Sequence, residues 1–277
     1  MKLAIDWVIH SDIYVAFVAI GLGLAAYLVY GIQLNDITPL LIIFLVTLNI
    51  YAINRQVDQE IDEVNLPERT SFVKRYGQHI TIISVIGSAF SLVLAFSHSY
   101  FTGIVTALAL FFGYLYSYSL FRICRLRDQF IWKNIGVGLI YGFISLITLA
   151  YFDITNEIEM LSMFMLFFIN FFLISSFFDL RDVKGDMLAG IKTIPISLGE
   201  KTMHFFHMTN ILPLLIISIL IFYSLINFKF LYLGIFSTIY GMVYLFGYNL
   251  KLDMKFLCMV VADAQPLVVS TMFLLVS

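Results

Sequence analysis

A chain of 277 residues that is 61% hydrophobic and only 12% charged lies far from the roughly half-apolar, quarter-charged composition of soluble domains. With a mean hydropathy of +0.96, it is excluded as an ordinary soluble enzyme and reads as a polytopic membrane protein. The formal net charge of −2 supplies no basic excess to neutralise a nucleic-acid backbone, so nucleic acid is not an expected partner.

The amino end, M-K-L-A-I-D-W-V-I-H-S-D, places acidic and polar residues where a signal peptide has its apolar core, so the first apolar run is expected to be retained as a span. Runs able to cross about 30 Å of hydrocarbon, at about 1.5 Å per residue, occupy 13–31, 37–54, 79–98, 100–118, 131–151, 158–178, 204–225, 229–248 and 256–276. Nine spans follow, in an all-α bundle around a central cavity. Lysine and arginine orient it, because short translocated loops lack them. Lys2, then Arg55, Arg69, Lys74 and Arg75, then Arg122, Arg125, Arg127 and Lys133, then Arg181, Lys184, Lys192 and Lys201, then Lys251 and Lys255 all fall in alternate segments. Lys229 alone falls in the others, a division of 15 to 1. The amino terminus is therefore expected on the cytoplasmic side and the carboxyl terminus on the opposite side. Two cytoplasmic segments, 63–78 and 187–203, are long and polar, and are expected to form cap loops over a single domain covering 1–277.

Both segments follow acidic motifs. Span two ends N-R-Q-V-D-Q-E-I-D, with Asn54, Asp58 and Asp62 at i, i+4 and i+8; span six ends F-F-D-L-R-D-V-K-G-D, with Asp179, Asp182 and Asp186 at i, i+3 and i+7. Each set forms one stripe on a helix. Carboxylates near a bilayer are costly and mark functional sites. Facing carboxylates with an amide oxygen are hard ligands that suit Mg²⁺ shared with substrate phosphates. For either stripe taken alone, a solvated helix end of mixed charge is the plain alternative, since Arg55 and Arg181 lie within the motifs.

These residues resemble the signatures of the UbiA superfamily of intramembrane prenyltransferases. N-x-x-x-D-x-x-x-D is met by Asn54, Asp58 and Asp62, and D-x-x-D-x-x-x-D by Asp179, Asp182 and Asp186. The flanks are similar too: N-L-P-E-R (65–69) after the first motif, G-D-M-L-A-G-I-K-T-I-P-I-S-L-G (185–199) after the second. Y-S-Y-S-L-F-R-I-C-R (116–125) resembles a third segment, with Cys124 where lysine is usual. The resemblance implies Mg²⁺-dependent transfer of a prenyl group from a prenyl diphosphate to a lipophilic acceptor, whether an aromatic, a quinone precursor or a lipid, through an allylic carbocation. Asp58, Asp62, Asp182 and Asp186 would be the catalytic carboxylates holding two Mg²⁺ ions that bridge the diphosphate, with Asn54 and Asp179 as further ligands or partners of the ligands. Arg69, Arg122, Lys133 and Lys192 would clamp phosphate oxygens and Tyr116 would donate to them. The second motif is nearer to the chlorophyll, quinone-tail and ether-lipid branches than to the aromatic-acid transferases. No obligate protein partner is implied; membrane lipid is.

Several residues stand outside the motifs. Asp263 and Gln265 lie in mid-span nine beside Pro266. A helix–helix hydrogen bond near a kink is the plain reading, and acceptor binding or proton removal the sharper one. Asn170 and Asn210 read as interhelical hydrogen bonds. His79, His98, His204 and His207 sit at span edges without ligand spacing, and Cys124 and Cys258 form no disulfide or metal pattern. A membrane terpene cyclase of the same superfamily would use the same site without an acceptor. A cation transporter is a more distant alternative, set back by carboxylates that cluster at one face rather than the midplane.

Overall fold

Within lipid, a chain must satisfy its backbone internally, by helices or a closed barrel; every regular element among the described residues here is helical. The computed structural model describes residues 10–119, 125–188 and 190–276. Its helices are α1 (Ile13–Tyr30), α2 (Thr38–Val57), a short α3 (Gln59–Asn65), α4 (Pro67–His98), α5 (Tyr100–Ser117), α6 (Trp132–Tyr151), α7 (Glu157–Leu188), a short α8 (Ile194–Leu198), α9 (Thr202–Phe222), α10 (Phe230–Asn249), α11 (Met254–Ala262) and α12 (Gln265–Leu274). Among the described residues, eight segments are long and apolar enough to cross a membrane, α8 running on into α9 in one of them. The bent pair α11–α12 makes a ninth. Local chemistry sets the ends. Pro39 and Pro67 occupy the first turns of α2 and α4, where a missing N–H costs nothing. Ser99 Oγ accepts the Thr102 N–H at 3.0 Å to cap α5, and Gly31 closes α1 at φ 66°.

The polar segments differ from the expected loops. Most of 63–78 is helix: α3 ends at Asn65, and α4 begins at Pro67 and runs 32 residues. A helix of that length measures about 48 Å, well beyond the hydrocarbon thickness, so its polar head emerges from the bilayer without unwinding. A count of apolar residues finds only the lipid-embedded part. For the same reason α7 continues ten residues past 178 and carries its whole acidic motif in helical form. The 187–203 segment contains α8 and one 3₁₀ turn, Gly199–Lys201.

The helices close a ring. In order, α1 packs on α2, α2 on α4 and α5, α5 on α6, α6 on α7, α7 on α9, α9 on α10, α10 on α12, and α12 returns to α1. α6 also touches α1 and α2 and is buried along most of its length. Lipid tails are as apolar as leucine, so such seams form by close contact and hydrogen bonding rather than by escape from water. At the closing seam a Cβ on Gly21 would fall on the Pro266 backbone, and Ser270 Oγ donates to the Gly21 carbonyl at 2.6 Å. Asn170 Nδ2 donates to Ser237 Oγ at 3.1 Å, joining α7 to α10, and Asn210 Nδ2 to the Thr238 carbonyl at 2.9 Å, joining α9 to α10. Both asparagines thus act between helices, as expected.

The end of the bundle away from the acidic motifs is tied by Asp36. Its carboxylate accepts the Thr38 N–H at 2.9 Å and the Tyr151 hydroxyl at 2.6 Å, and its carbonyl accepts the Tyr27 hydroxyl. Hydrogen bonds from Thr38 and then Tyr151 hold the Asp36 carboxyl below its usual range.

Candidate active site

Asn54 occupies the last turn of α2, and the helix stops at Val57. Asp58 takes a non-helical conformation (φ −100°, ψ 18°) between α2 and α3, so the first motif is a broken stripe, not the continuous one its spacing suggests. The backbone bonds Asp58 N–H to Asn54 O (3.1 Å) and Asp62 N–H to Asp58 O (3.0 Å) persist across the break and keep the three residues on one side. The second motif stays on a regular helix. Gly185 N–H donates to Asn65 Oδ1 at 3.1 Å, and a Cβ at 185 would collide with the Asn65 side chain. Glycine at this position lets α3 and α7 approach, and so brings together two motifs that lie more than a hundred residues apart.

Between them lies a cavity of about 830 Å³, its open mouth included. Asn54, Asp62, Asp179 and Asp182 line it, as do Arg55, Arg69, Arg127, Lys133 and Arg181. Its deeper wall is apolar and aromatic, with Ile50, Tyr51, Tyr116, Val137, Ile140, Tyr141, Phe171, Ile174 and Phe178. Tyr141 stacks on Phe171 with centroids 3.4 Å apart and donates to Tyr51 Oη at 2.9 Å.

Every motif carboxylate is held by a cation. Asp58 is closed in by Arg127 and by Arg125, the latter at 3.1 Å, and accepts Asn54 Nδ2 at 2.6 Å. Asp62 accepts Arg69 at 2.8 Å, with Arg127 at 3.7 Å and Arg55 at 3.9 Å. Lys133 Nζ bridges Asp179 (2.8 Å) and Asp186 (3.0 Å), and Asn134 Nδ2 donates to Asp179 at 3.0 Å. Arg181 grips Asp182 with two contacts of 2.7 Å. Arg55 also reaches Asp12 at 3.4 Å, at the head of α1, where burial outweighs the arginine and lifts the Asp12 carboxyl above its usual range. On the loop before α6, burial and then the neighbouring Arg55 draw the Arg127 guanidinium down to about 10, which leaves it cationic at neutral pH.

Of the residues anticipated from sequence, Asn54, Asp62, Asp179, Asp182, Arg69, Tyr116, Lys133 and Asp263 line this cavity. Asp58 and Asp186 sit behind the wall and reach it through Arg127 and Lys133. Lys192 is exposed and lies off the cavity, because the chain beyond α7 turns its neighbours Ile191, Thr193 and Ile194 inward instead. Arg122 lies outside the described residues. Arg55, Arg127, Asn134 and Arg181 were not anticipated as site residues. The sequence signal for the arginines was present, inside and between the motifs, but it reads equally well as the cytoplasmic charge that orients the chain.

A profile of the UbiA prenyltransferase family matches residues 13–255. The chain belongs to that family. Among individual relatives, a digeranylgeranylglyceryl phosphate synthase of Sulfolobus acidocaldarius is 29% identical over 194 residues. That match covers 67% of this chain and 63% of the relative, so the chain spans somewhat less than two thirds of its curated relative's length. The UbiA fold extends end to end. A UbiA homologue of Archaeoglobus fulgidus, solved with GPP and Mg²⁺, superposes with a TM-score of 0.70 at 16% identity, covering 97% of this chain and 99% of that one. The apo UbiA homologue of Aeropyrum pernix gives 0.68 at 15% identity, covering 96% and 97%.

Proposed function

We propose that this UbiA-family prenyltransferase moves a prenyl group from a prenyl diphosphate to a lipophilic acceptor in the membrane, with Mg²⁺, and releases diphosphate. One observation carries the reading: a single cavity joins a rim of two acidic motifs and five cationic side chains to an aromatic, apolar interior. The rim matches a diphosphate and the interior a hydrocarbon chain.

The donor set fits Mg²⁺. The oxygens of Asn54, Asp62, Asp179 and Asp182 are hard ligands facing one space. Among the described residues, no three acidic, His or Cys side chains converge to hold an ion unaided. That suits a metal bound through one or two carboxylates plus substrate phosphates. Asn54, Asp62, Asp179 and Asp182 would hold the two ions, with Asp58 and Asp186 behind them, and the metal's contribution when bound would be to neutralise charge on the leaving diphosphate. Structures of Archaeoglobus homologues bound to GPP or DMAPP with Mg²⁺ support the choice of ion and donor.

The chain's own groups do the remaining work. Arg69, Arg127, Lys133 and Arg181, which line the cavity and pair with carboxylates, exchange onto phosphate oxygens as the allylic C–O bond breaks. Tyr116 is half-buried on the same wall and donates to the diphosphate. Tyr51, Tyr141, Phe171 and Phe178 keep water from the allylic cation and present electron-rich faces to it. The segments 63–78 and 187–203 cap the rim on the cytoplasmic side, with the amino terminus on that side and the carboxyl terminus opposite. The likeness to a digeranylgeranylglyceryl phosphate synthase favours a glycerol-lipid hydroxyl as acceptor.

The test is purified protein in lipid nanodiscs with Mg²⁺ and labelled geranylgeranyl diphosphate, supplied with geranylgeranylglyceryl phosphate, a phenolic acid or no acceptor. A labelled ether lipid formed only with Mg²⁺ is the expected result. A cyclised product formed without acceptor would assign the chain to the cyclases, and no diphosphate release under any condition would refute the reading.

A further inference from the structure

The ninth span is interrupted around a carboxylate that the transfer just described leaves without a task. Leu257–Ala262 is wound as a π-helix, and the axis turns by 47° before α12. Pro266 has no N–H to continue the ladder. Backbone loosened in this way is tolerated inside a membrane only where other groups satisfy it, and here they do. The Val260 carbonyl accepts the Tyr14 hydroxyl at 2.9 Å, and the Val261 carbonyl accepts the Tyr240 hydroxyl at 3.0 Å. Gln265 Nε2 donates to the Ser237 carbonyl at 3.3 Å. Side chains from α1, α10 and α12 thus fix the interruption, which is a built feature. π-type interruptions of this kind gather at functional sites.

Its consequence is the placement of Asp263. The residue is 8% exposed and lies on the cavity wall together with Tyr51, Tyr141 and Phe171. The other three carboxylates of that wall, Asp62, Asp179 and Asp182, each touch a cation at 2.7–2.8 Å. Asp263 makes no side-chain hydrogen bond or ion pair among the described residues. The charged groups around it are Arg55 of α2, Arg69 of α4, Arg181 of α7 and Asp12 at the head of α1. All three arginines are already engaged by other aspartates. Tyr14, Tyr51 and Tyr141 face it from α1, α2 and α6. A carboxylate that bonds to nothing, on the wall of a cavity where every other acid is neutralised, is free to take a proton from whatever enters.

We propose that Asp263 accepts the proton of the acceptor hydroxyl during prenyl transfer; this rests on the transfer reading above. The C1–O bond to diphosphate breaks and its electron pair leaves on the diphosphate. A lone pair of the acceptor oxygen forms the new bond to C1, and the hydroxyl proton passes to an Asp263 carboxylate oxygen. After the product departs, the proton is released to water and the carboxylate is restored. The acceptor therefore reacts from the part of the wall that the interrupted ninth span supplies.

The experiment compares the parent with Asp263→Asn and Asp263→Glu in nanodiscs with Mg²⁺ and geranylgeranyl diphosphate. It measures transfer to geranylgeranylglyceryl phosphate and, separately, acceptor-free release of diphosphate to water. General-base catalysis contributes about 10²–10⁴-fold. Asp263→Asn is accordingly expected to lose about 100-fold or more in transfer kcat, with KM for geranylgeranyl diphosphate and acceptor-free hydrolysis held within about threefold of the parent. Asp263→Glu recovers part of the transfer rate, and the acidic limb of the parent's transfer pH profile disappears from the residual rate of Asp263→Asn. Transfer by Asp263→Asn within threefold of the parent overturns the proposal. So does a parallel loss of hydrolysis and transfer, which places the residue in ionisation or in the fold. A parent that releases no diphosphate with or without acceptor refutes the transfer reading itself and the proposal with it, so the parent's total diphosphate release tells the two failures apart.

Discussion

Lys133 is the most exacting test of the charge arrangement, because one ammonium serves two buried carboxylates. Its Nζ lies 2.8 Å from Asp179 and 3.0 Å from Asp186, and all three side chains are 10% exposed or less. Replacing it by Met keeps the length of the side chain and removes the charge. Removing one member of a buried ion pair costs about 3–5 kcal/mol, chiefly through the charge left behind. Here two carboxylates lose their partner, although Asp179 keeps the Asn134 amide at 3.0 Å, so the same range is a fair expectation for the whole change. At roughly 2–4 °C per kcal/mol for a chain of this size, the thermal midpoint of Lys133→Met should fall by about 6–20 °C in Mg²⁺-free detergent solution. Tryptophan fluorescence or size-exclusion thermal profiles will read the shift. Adding Asp186→Asn to Lys133→Met removes one of the stranded charges and should recover part of the loss. A Lys133→Met midpoint within about 2 °C of the parent, with no recovery in the double variant, would show that the bridge holds nothing and that the rim is not organised by charge pairing.

Asp182→Asn and Asp58→Asn should each lower turnover by about 100-fold or more, and chelation should abolish parent activity until Mg²⁺ is restored; full activity of both variants in chelator would exclude the metal site. Gly185→Ala drives a methyl group into Asn65 and should cost about 1–3 kcal/mol of stability along with activity, both measurable on one preparation, whereas an unchanged variant would mean that α3 and α7 are not held by this contact. For sidedness, cysteines at the exposed positions Ser71, Ser197 and Thr155, in a background without Cys124 and Cys258, should label from the cytoplasmic face for the first two and the opposite face for the third. At the far end, the Asp36 carboxyl is held below its usual range, so its contribution is full above about pH 4 and is lost as pH falls through the lower folded value. The stability difference between parent and Asp36→Asn should therefore be constant above pH 5 and shrink below pH 4.

The span count and both acidic motifs were legible because they rest on local pattern: apolar runs of fixed length, and carboxylates at three- and four-residue spacing. What pattern could not supply was pairing at a distance. Asp58 is closed by Arg125, 67 residues away, and Asp179 and Asp186 share Lys133 from the preceding helix; no periodicity links such positions. The break at Asp58 was invisible for a related reason, since helical spacing continues through it in the sequence while the chain departs from helix at one residue. The polar head of α4 reads as a loop in the sequence because polarity ends a span's contact with lipid without ending its helix. Lys192 faces outward, off the cavity lining, since a positive charge near a motif says nothing about which way its segment turns.

The pairing of Asp58 with Arg125 and Arg127 has a consequence for how the molecule is made. Chains emerge and fold from the amino end, so Asp58 reaches the membrane surface nearly 70 residues before the guanidinium groups that neutralise it. Asp179 and Asp186, by contrast, arrive after Lys133 is already in place. Asp58 meets its cations only once the loop ahead of α6 is synthesised, whereas Asp62 of the same motif has Arg69 seven residues on. The second motif is accepted as it emerges, and Asn65, which binds Gly185, is ready to receive it. Biogenesis therefore runs in a fixed direction, with the first half of the chain an open receptor for the second. A nascent chain halted before residue 125 carries Asp58 without either of the guanidinium groups that close on it.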